Sequence, residues 1–332
     1  MTRAYLAFTA QGLALAQKLA AALPGTVDRC GKEGVSLSDW TARQFARCDA
    51  LIFVGAAGIA VRAIAPHCRS KATDPAVVVV DECGHFAIPV LSGHLGGAND
   101  LARAIAACCG AVPVITTATD ANGLFAVDEW AKRQDCRVLE PERIKRVSGA
   151  LLAGQSVFFW SEFPVTGAVP EGIRRVDSQT SAGFALTVCP AGDALHLVPK
   201  IGVLGIGCRR GTTAEQLEEA FAGFCAWYAL TPQCITAAAS IDLKQNEAGL
   251  LDFCARHGWK VSFFSAEQLR CAPGQFTPSP FVQSVTGVDN VCERSAVLAS
   301  GGTIRIPKQA GGGVTFALAL RPYAPDWRWQ NV

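Results

Sequence analysis

The sequence predicts an α/β protein with an N-terminal doubly wound, mostly parallel sheet, a small connecting module and a second α/β domain at the C-terminal end. Three observations favour this fold class. The 332 residues exceed what one hydrophobic core usually organises, so two domains are expected. Half of the residues are hydrophobic and 17% are charged, as in folded globular proteins. Short apolar runs alternate with helical patterns from Tyr5 to about Asp135, and the alternation restarts near Lys200.

The N-terminal domain, residues 1–135, contains five predicted strands. Their sequences are YLAFT, ALIFVG, AVVVV, HFAIPV and AVPVI. We expect AVVVV and HFAIPV to form an antiparallel hairpin, because the connection DECG is too short for a parallel crossover. The other strands are expected to pair mostly in parallel.

The connecting module, residues 136–195, is less regular. It combines a basic helical stretch, PERIKRVSGALL, with a strand, SVFFW, and several proline and glycine breaks. Residues 189–200, CPAGDALHLVPK, are interpreted as the linker into the next domain.

The C-terminal domain, residues 196–332, alternates strands with helices. The strands KIGVLGIG, CITAAAS and KVSFFS are followed by a terminal hairpin of TIRIP and VTFALAL. Thr212 with Glu215, and Ser265 with Gln268, have the spacing of capping boxes, which predicts the beginnings of two helices.

Charge and cysteine content exclude several classes of function. The formal net charge of +2 gives no strong field to attract nucleic acid, and no run approaches the roughly 20 apolar residues of a membrane span. Fourteen cysteines without C-x-x-C spacing indicate free thiols in a reducing cytoplasm and no zinc-type ligand set. The apolar N-terminal segment is interrupted by polar residues, so we interpret it as a strand and a helix and not as a signal peptide. We therefore expect a cytoplasmic protein that binds neither nucleic acid nor membrane.

Polar, glycine-containing turns follow three strands of the N-terminal domain. Their candidate binding or catalytic residues are Gly55, Gly58 and Arg62 in GAAGIAVRAIAP, Ser92, Gly93, His94, Gly96, Gly97 and Asn99 in SGHLGGAND, and Asp120 and Asn122 in TTATDANG. Because ligands bind beyond the carboxyl ends of parallel strands, we expect the three turns to line one crevice. The second turn is neither a nucleophile elbow, because Val90 stands where glycine is needed, nor a Walker A loop, because G-K-[ST] is absent.

His94 is the candidate acid–base residue, because an imidazole titrates near neutrality and this one lies in a glycine-rich turn. We expect it to take a proton from water, with Asp120 or Asn99 orienting the ring. The amides of Gly96 and Gly97 are expected to hold an oxyanion. The alternative is a histidine that caps a helix and has no chemical role.

The segment GIGCRRGTT, residues 205–213, nearly matches a dinucleotide-binding fingerprint, but its third glycine is displaced by one position. A helix start beside two arginines suits carboxylates as well as phosphates. The alternative is a tight turn with two solvated arginines. The candidate substrate-binding residues at the strand ends of this domain are Gly207, Cys208, Arg209, Arg210, Ser240, Asp242 and Ser265.

Long motifs in both halves of the chain resemble the CbiG family of cobalamin-biosynthesis proteins, the cobalt-precorrin-5A hydrolases. These motifs are GAAGIAVRAIAP, TDPAVVVVDECGHFAIPVLSGHLGGANDLA, TTATDANG, GIGCRRGTTAEQLEEA, ASIDLKQNEAGLLDF and VTGVDNVCERSAVLA. The resemblance covers nearly the whole chain and is weakest between about 136 and 195. The C-terminal half is also similar to CobE, a separate protein of the aerobic pathway.

This resemblance implies an enzyme of the anaerobic corrin pathway that opens the δ-lactone of cobalt-precorrin-5A and expels acetaldehyde. It also implies that the N-terminal half carries the chemistry. Our own hypothesis, from the chemistry of the residues and not from the resemblance, is that a water activated by His94 attacks the lactone carbonyl. The C-terminal half would bind the macrocycle, whose carboxylates would meet Arg62, Arg209 and Arg210. The substrate carries its own cobalt, so no cofactor is expected.

The partners implied by the resemblance are the tetrapyrrole substrate and, transiently, other enzymes of the corrin pathway. Two alternatives remain open at this point. One is a non-catalytic tetrapyrrole carrier, and the other is a dinucleotide-dependent oxidoreductase built on residues 205–213.

Overall fold

The structure is a computed structural model that describes residues 1–31, 34–70, 73–94 and 96–329. The chain divides into two compact units. Unit 1 contains residues 1–130 and 151–153 with residue 329, and unit 2 contains residues 131–150 and 154–328. Within the described ranges, every helix is too short or too polar to cross a lipid bilayer.

The first sheet lies in unit 1 and has six strands. The strands are β1 (Arg3–Ala7), β2 (Thr26–Arg29), β3 (Ala50–Val54), β4 (Ala76–Val80), β5 (Phe86–Leu91) and β6 (Val112–Pro113). The accompanying helices are α1 (Ala10–Ala22), α2 (Leu37–Phe45), α3 (Ala57–Ile64), α4 (Ala98–Cys109), α5 (Ala118–Ala121) and α6 (Val127–Arg133). The strand order is β2-β1-β3-β4-β5-β6, and only the β4–β5 pair is antiparallel. The predicted hairpin and the otherwise parallel pairing are confirmed.

Both faces of the first sheet are covered, because successive residues of each strand point to opposite sides. On one face, Ile52 and Val78 belong to a core with Ile105 of α4. On the other face, Phe53 packs edge-on against Trp40 of α2, with 5.5 Å between the ring centroids. The doubly wound architecture is therefore confirmed. Strand β2, with the sequence TVDR, escapes prediction because it has no apolar run and lies at the edge of the sheet.

The second sheet lies in unit 2 and accounts for the connecting region. Its strands are β7 (Cys136–Val138), β8 (Val157–Ser161), β9 (Ile173–Arg175), β10 (Phe184–Leu186) and β11 (Leu195–Pro199), in the order β7-β11-β10-β8-β9, with helix α7 (Ile144–Leu152). The interpretation of residues 189–200 as a linker is wrong, because β11 is a fully buried strand of this sheet. His196 in β11 is fixed by Glu140, which lies 3.0 Å from its Nδ1.

The third sheet also lies in unit 2. Its strands are β12 (Gly202–Cys208), β13 (Ile235–Ile241), β14 (Lys260–Phe264), β15 (Thr303–Gly311) and β16 (Val314–Leu320), in the order β14-β13-β12-β16-β15. The helices are α8 (Ala214–Trp227), α9 (Ala248–Arg256), α10 (Ala266–Arg270), α11 (Pro280–Thr286) and α12 (Cys292–Ser300). The predicted terminal hairpin is confirmed as the antiparallel pair β15–β16.

Helix α8 begins one residue later than predicted. Its capping box pairs Thr213 with Gln216, and not Thr212 with Glu215. The physical reason is that the Thr212 hydroxyl donates to the carbonyl of Arg209 at 2.9 Å and is not available to cap the helix. The second predicted capping box, at the beginning of α10, is confirmed.

Two glycines of unit 2 give opposite expectations for stability. A Cβ on Gly205 would lie 1.8 Å from the carbonyl oxygen of Cys292, so Gly205→Ala forces β12 and α12 apart. Such overpacking typically costs about 1–3 kcal/mol. Gly223 is exposed within α8 and a Cβ there meets no atom, so Gly223→Ala should stabilise the helix by about 1 kcal/mol.

Urea unfolding followed by circular dichroism measures both changes. We expect a lower midpoint for Gly205→Ala and a higher midpoint for Gly223→Ala. A wild-type midpoint for Gly205→Ala would contradict the close packing of α12 on this sheet.

Candidate active site

The turn after β3 and the turn after β5 lie at opposite ends of the strands of the first sheet. β3 and β4 run in the same direction, β5 returns antiparallel to β4, and β6 is parallel to β5. Five-residue strands at about 3.3 Å per residue separate the two edges by roughly 16 Å. The prediction that three turns line one crevice is therefore wrong, because the hairpin reverses the direction of the chain.

Gly55, Gly58 and Arg62 lie beyond the carboxyl end of β3. The Gly55 amide donates to the Val80 carbonyl at 2.8 Å, and a Cβ on Gly55 would lie 2.7 Å from the ring of Phe8. Arg62 donates to the Gly58 carbonyl at 3.4 Å. The structure does not bring these three predicted binding residues together with the turns after β5 and β6.

The loop after β5 folds back on itself and uses its own amides. Ser92 has a φ of +54°, which is uncommon for a residue other than glycine, and its hydroxyl donates to the Asp74 carbonyl at 2.9 Å. A Cβ on Gly96 would lie 2.4 Å from the Ser92 Cβ, so glycine is required there. The Gly97 amide donates to the His94 carbonyl at 3.0 Å. Gly97 therefore does not offer the free oxyanion donor predicted for it.

Two further predicted residues have structural contacts. A Cβ on Gly93 would lie 2.9 Å from the Asn99 Oδ1, so Gly93 permits a close approach of the α4 side chain. Asn122 is exposed and donates to the Ala118 carbonyl at 2.8 Å, at the end of α5.

His94 lies among three carboxylates. Its Nε2 is 2.8 Å from Asp120 Oδ2 and 3.6 Å from Glu129 Oε1, and its Nδ1 is 3.1 Å from both carboxylate oxygens of Asp128. The His94 side chain is 13% exposed, and the carboxylates are 7–8% exposed. We refer to these four residues as the His94 cluster.

The carboxylates change the proton affinity of the imidazole. Burial alone would lower the pKa of His94, but hydrogen bonds and charge from Asp128, Asp120 and Glu129 raise it to about 9. Each ring nitrogen faces a carboxylate oxygen, which an imidazolium satisfies by donating from both nitrogens. A pKa of about 9 favours the protonated imidazole at neutral pH. That His94 takes a proton from water stays a prediction.

Asp120 is held by four neighbours. Besides His94, its Oδ2 accepts hydrogen bonds from the Thr117 hydroxyl and from Asn99 at 3.3 Å, and its Oδ1 accepts from Arg103 at 2.7 Å. Burial raises the pKa of Asp120, but these donors and His94 lower it below its ordinary value. The structure brings together the three residues predicted to act in catalysis, although Asn99 hydrogen-bonds Asp120 and not the imidazole.

Glu129 differs from the other carboxylates. Among the described residues no donor hydrogen-bonds its carboxylate, and its ion pair is the 3.6 Å approach of His94 Nε2. Burial raises the pKa of Glu129, His94 lowers it and Asp120 raises it again, which brings it to about 7. A buried carboxylate without a hydrogen-bond donor is costly unless it binds something.

Sequence reasoning missed Asp128, Glu129 and Arg103. The available signal is the adjacent acids of VDEW at the beginning of α6. Acidic residues in a first helical turn also stabilise the helix dipole, so the pattern has little specificity. No local pattern marks Arg103, which is identified by its contact with Asp120.

The predicted binding residues of the C-terminal domain lie at one edge of the third sheet, because β12, β13 and β14 are parallel. The residues at or just beyond these strand ends are Gly207, Cys208, Arg209, Arg210, Ser240, Asp242 and Ser265. Ser240 is buried and donates to the Ile206 carbonyl at 2.7 Å. Ser265 accepts from the Gln268 amide at 3.2 Å as the cap of α10. Both serines therefore have structural roles.

The turn after β12 is already occupied by an acidic side chain. The Gly211 amide donates to Glu247 Oε2 at 3.0 Å, where the phosphate of a dinucleotide would bind. Burial raises the pKa of Cys208, so its thiol is protonated and unreactive. Arg209 packs against Gly313, where a Cβ would lie 2.8 Å from Arg209 Cδ. These contacts do not favour the dinucleotide alternative.

Three family models match the chain in order. They are Cobalamin synthesis G N-terminal over residues 39–120, Cobalamin biosynthesis central region over 125–189, and Cobalamin synthesis G C-terminus over 202–319. Together these ranges include most of the chain, and they run through all three sheets.

Similar proteins extend this result. A protein named cobalt-precorrin-5A hydrolase from Salmonella typhimurium is 38% identical over 96% of this chain and 97% of its own length. A protein of the same name from Priestia megaterium is 34% identical over 82% of this chain and 79% of its own length. A solved structure of CobE, described as a protein from the cobalamin (vitamin B12) biosynthetic pathway, is 28% identical and covers 38% of this chain and 94% of that chain, with a TM-score of 0.35. The chain therefore belongs to the cobalamin synthesis G, or CbiG, family.

Proposed function

We propose that this chain is a cobalt-precorrin-5A hydrolase, which opens the δ-lactone of cobalt-precorrin-5A and releases acetaldehyde to give cobalt-precorrin-5B. The observation that carries the proposal is the 38% identity to a protein of that name, which extends over 97% of that protein. The aligned residues include all three sheets. The inference of a shared activity therefore rests on the whole chain and not on one motif.

The proposed reaction makes defined demands on the protein. Water attacks the lactone carbonyl, and the acyl–oxygen bond breaks to give a carboxylate and an alkoxide on the methyl-bearing carbon. The methyl-bearing carbon also carries a hydrogen, and its alkoxide becomes the carbonyl of acetaldehyde as the one carbon–carbon bond that joins it to the ring breaks. The electron pair of that bond passes to the macrocycle, which takes up a proton. Each step moves a proton or develops charge, so fixed ionisable groups are needed beside the lactone.

The His94 cluster supplies such groups in unit 1. It holds one cation and three carboxylates at 13% exposure or less, where charge interactions are stronger than in bulk water. Buried groups with shifted proton affinity are frequent at functional sites. We infer that the lactone binds against this cluster, with Arg103 and Thr117 holding Asp120 in place.

The third sheet offers a different chemistry. Arg209 and Arg210 follow β12, and guanidinium groups pair well with the acetate and propionate groups that edge the proposed substrate. We infer that this strand-end edge binds peripheral carboxylates of the macrocycle.

The free thiols support a proposal about the compartment. All fourteen cysteines are free in the structure. Two of them, Cys234 and Cys254, are 0–1% exposed in the core beside the third sheet. A chain rich in free thiols suits a reducing environment, so we place the enzyme in the cytoplasm, where it would meet other enzymes of the corrin pathway transiently.

Anaerobic incubation of the purified protein with cobalt-precorrin-5A should release one equivalent of acetaldehyde for each macrocycle converted. A coupled alcohol dehydrogenase assay measures the aldehyde, and the absorption spectrum of the tetrapyrrole follows the ring. Tight binding of the macrocycle without acetaldehyde would overturn the proposal in favour of a carrier.

His94→Ala should lower kcat on the order of 10²-fold or more, the usual loss when a positioned ionisable side chain leaves a catalytic site. His85→Ala is the matched control, because the His85 side chain is 71% exposed in the β4–β5 turn, at the other edge of the sheet. Near-normal turnover by a folded His94→Ala protein would show that the His94 cluster takes no part in the reaction. It would not affect the proposal that the chain is a hydrolase, which the acetaldehyde assay of the wild type tests.

Arg210→Ala should raise KM by roughly 10-fold with little change in kcat, because one charge-assisted hydrogen bond contributes about 1.5–3 kcal/mol. Arg174→Ala removes the same charge from an exposed position of β9 and serves as the control. Equal KM values for the two variants would exclude Arg210 from macrocycle binding.

A further inference from the structure

The Nε2 side of His94 faces two carboxylates at distances that suit metal ligands. Asp120 Oδ2 lies 2.8 Å and Glu129 Oε1 lies 3.6 Å from this nitrogen, and the three ligand atoms lie within 4.8 Å of one another. Ligand atoms bound at about 2.1 Å to one ion lie roughly 3.0 to 3.4 Å apart in octahedral or tetrahedral geometry. Small side-chain adjustments would therefore bring all three atoms to one ion.

The opposite side of the imidazole has the partner that a metal-binding histidine requires. Nδ1 lies 3.1 Å from each oxygen of Asp128, whose side chain is 7% exposed. Such a carboxylate fixes the tautomer and leaves Nε2 free to coordinate. Arg103 and Thr117 hold Asp120 in the same way from its outer side.

Glu129 provides a second, independent indication of a ligand. Its side chain is 93% buried, no donor in the described part of the chain hydrogen-bonds its carboxylate, and it points toward His94 Nε2. Burying a carboxylate that no donor hydrogen-bonds is unfavourable, and a bound cation is one way to compensate it. The other two carboxylates of the cluster already have hydrogen-bond donors.

The charges of the site agree with a divalent ion. With Glu129 ionised, Asp120, Asp128 and Glu129 contribute three negative charges. Arg103, which lies 2.7 Å from Asp120 and 3.3 Å from Asp100, offsets at most one of them. With a neutral imidazole, two negative charges remain. A divalent cation at Nε2 balances them and replaces the proton that this nitrogen otherwise carries.

We propose that His94 Nε2, Asp120 and Glu129 bind one divalent first-row transition-metal ion. One imidazole nitrogen with two carboxylate oxygens suits Zn²⁺, Mn²⁺, Fe²⁺ or Co²⁺ better than the soft thiolate-preferring ions. Water or substrate would have to complete the coordination, and an ion held there would polarise a carbonyl or activate a water beside it. This ion is separate from the cobalt that the proposed substrate carries.

This proposal departs from the expectation of no metal ligand set. That expectation rests on cysteine spacing, which detects ligands close together in sequence. Here the ligands come from the loop after β5, from α5 and from α6, and only the fold brings them together.

A second group, Asp81, Cys83 and His85, provides the control. It also has metal-ligand atoms within 4.8 Å of one another, but Cys83 and His85 are exposed. The Asp81 carboxylate already accepts from the amides of Cys83 at 3.2 Å and Phe86 at 2.6 Å, as expected for a tight turn. We therefore assign no site to this group.

The test uses Co²⁺ as the probe, because its visible absorption reports on coordination. The purified full-length chain is treated with a chelator, freed of it, and titrated anaerobically with Co²⁺ without any tetrapyrrole. Bound metal is counted after gel filtration. We expect one equivalent in the wild type and in Cys83→Ser, and at least 10-fold weaker binding in Glu129→Gln. Asp128→Asn, which keeps the ligands but weakens their orientation, should bind about 10- to 100-fold more weakly.

Three results would overturn the proposal: no stoichiometric binding by the wild type, wild-type affinity in Glu129→Gln, or loss of binding in Cys83→Ser. Circular dichroism checks the fold of each variant, and Asp128→Asn decides the question if Glu129→Gln does not fold. The titration contains no substrate, so a lack of Co²⁺ binding would contradict only the proposed metal site. The proposed hydrolase activity is tested separately, by acetaldehyde release.

Discussion

The burial of three carboxylates against one imidazole is the constraint on which the rest of unit 1 depends. Asp120, Asp128 and Glu129 are each 7–8% exposed, so each loses most of its hydration. His94 and Arg103 supply the compensating charge. Against the effect of burial, the carboxylates raise the pKa of His94 to about 9, whereas burial is the main cause that brings the pKa of Glu129 to about 7.

The reversal of the chain at the β4–β5 hairpin decides where this cluster forms. Because of this reversal, β5 and β6 end on the side of the sheet where β3 and β4 begin. The Ser92 hydroxyl donates to the carbonyl of Asp74, just before β4, and so holds the loop there. The strained φ of Ser92 and the close approach at Gly96 fix the loop that presents His94. The sheet therefore serves as a rigid support, and chemistry-bearing residues come from the segments that leave it.

Unit 2 has a different character. Its strand-end edge combines arginines with structural serines and an acidic residue, Glu247, that occupies the glycine-rich turn. Arginines at these strand ends suit the binding of carboxylates better than they suit catalysis of bond cleavage. The two units therefore carry different groups: a buried ionisable cluster in unit 1 and an arginine-bearing strand-end edge in unit 2.

Sequence patterns predicted the features that depend on neighbouring residues. The run AVVVV and the connection DECG identify a buried strand and a hairpin, because period and turn length are local properties. The predicted cap of α8, Thr212, is one residue too early. The hydroxyl of Thr212 donates to the Arg209 carbonyl, and Thr213 caps the helix instead, which the local sequence pattern does not reveal. Asp128 and Glu129 could not be predicted as site residues from the sequence. They contact His94, which lies in a loop more than thirty residues earlier in the chain.

Locating the macrocycle tests the account most directly. A crystal structure of the His94→Ala protein, which we expect to turn over slowly, with bound cobalt-precorrin-5A would show which groups face the lactone. The anomalous scattering of the cobalt in the macrocycle would mark the ring. The account predicts the lactone carbonyl in contact with Asp120, Glu129 or the cavity left by the imidazole. A macrocycle whose lactone lies away from these groups, with the cluster covered by protein, would contradict it.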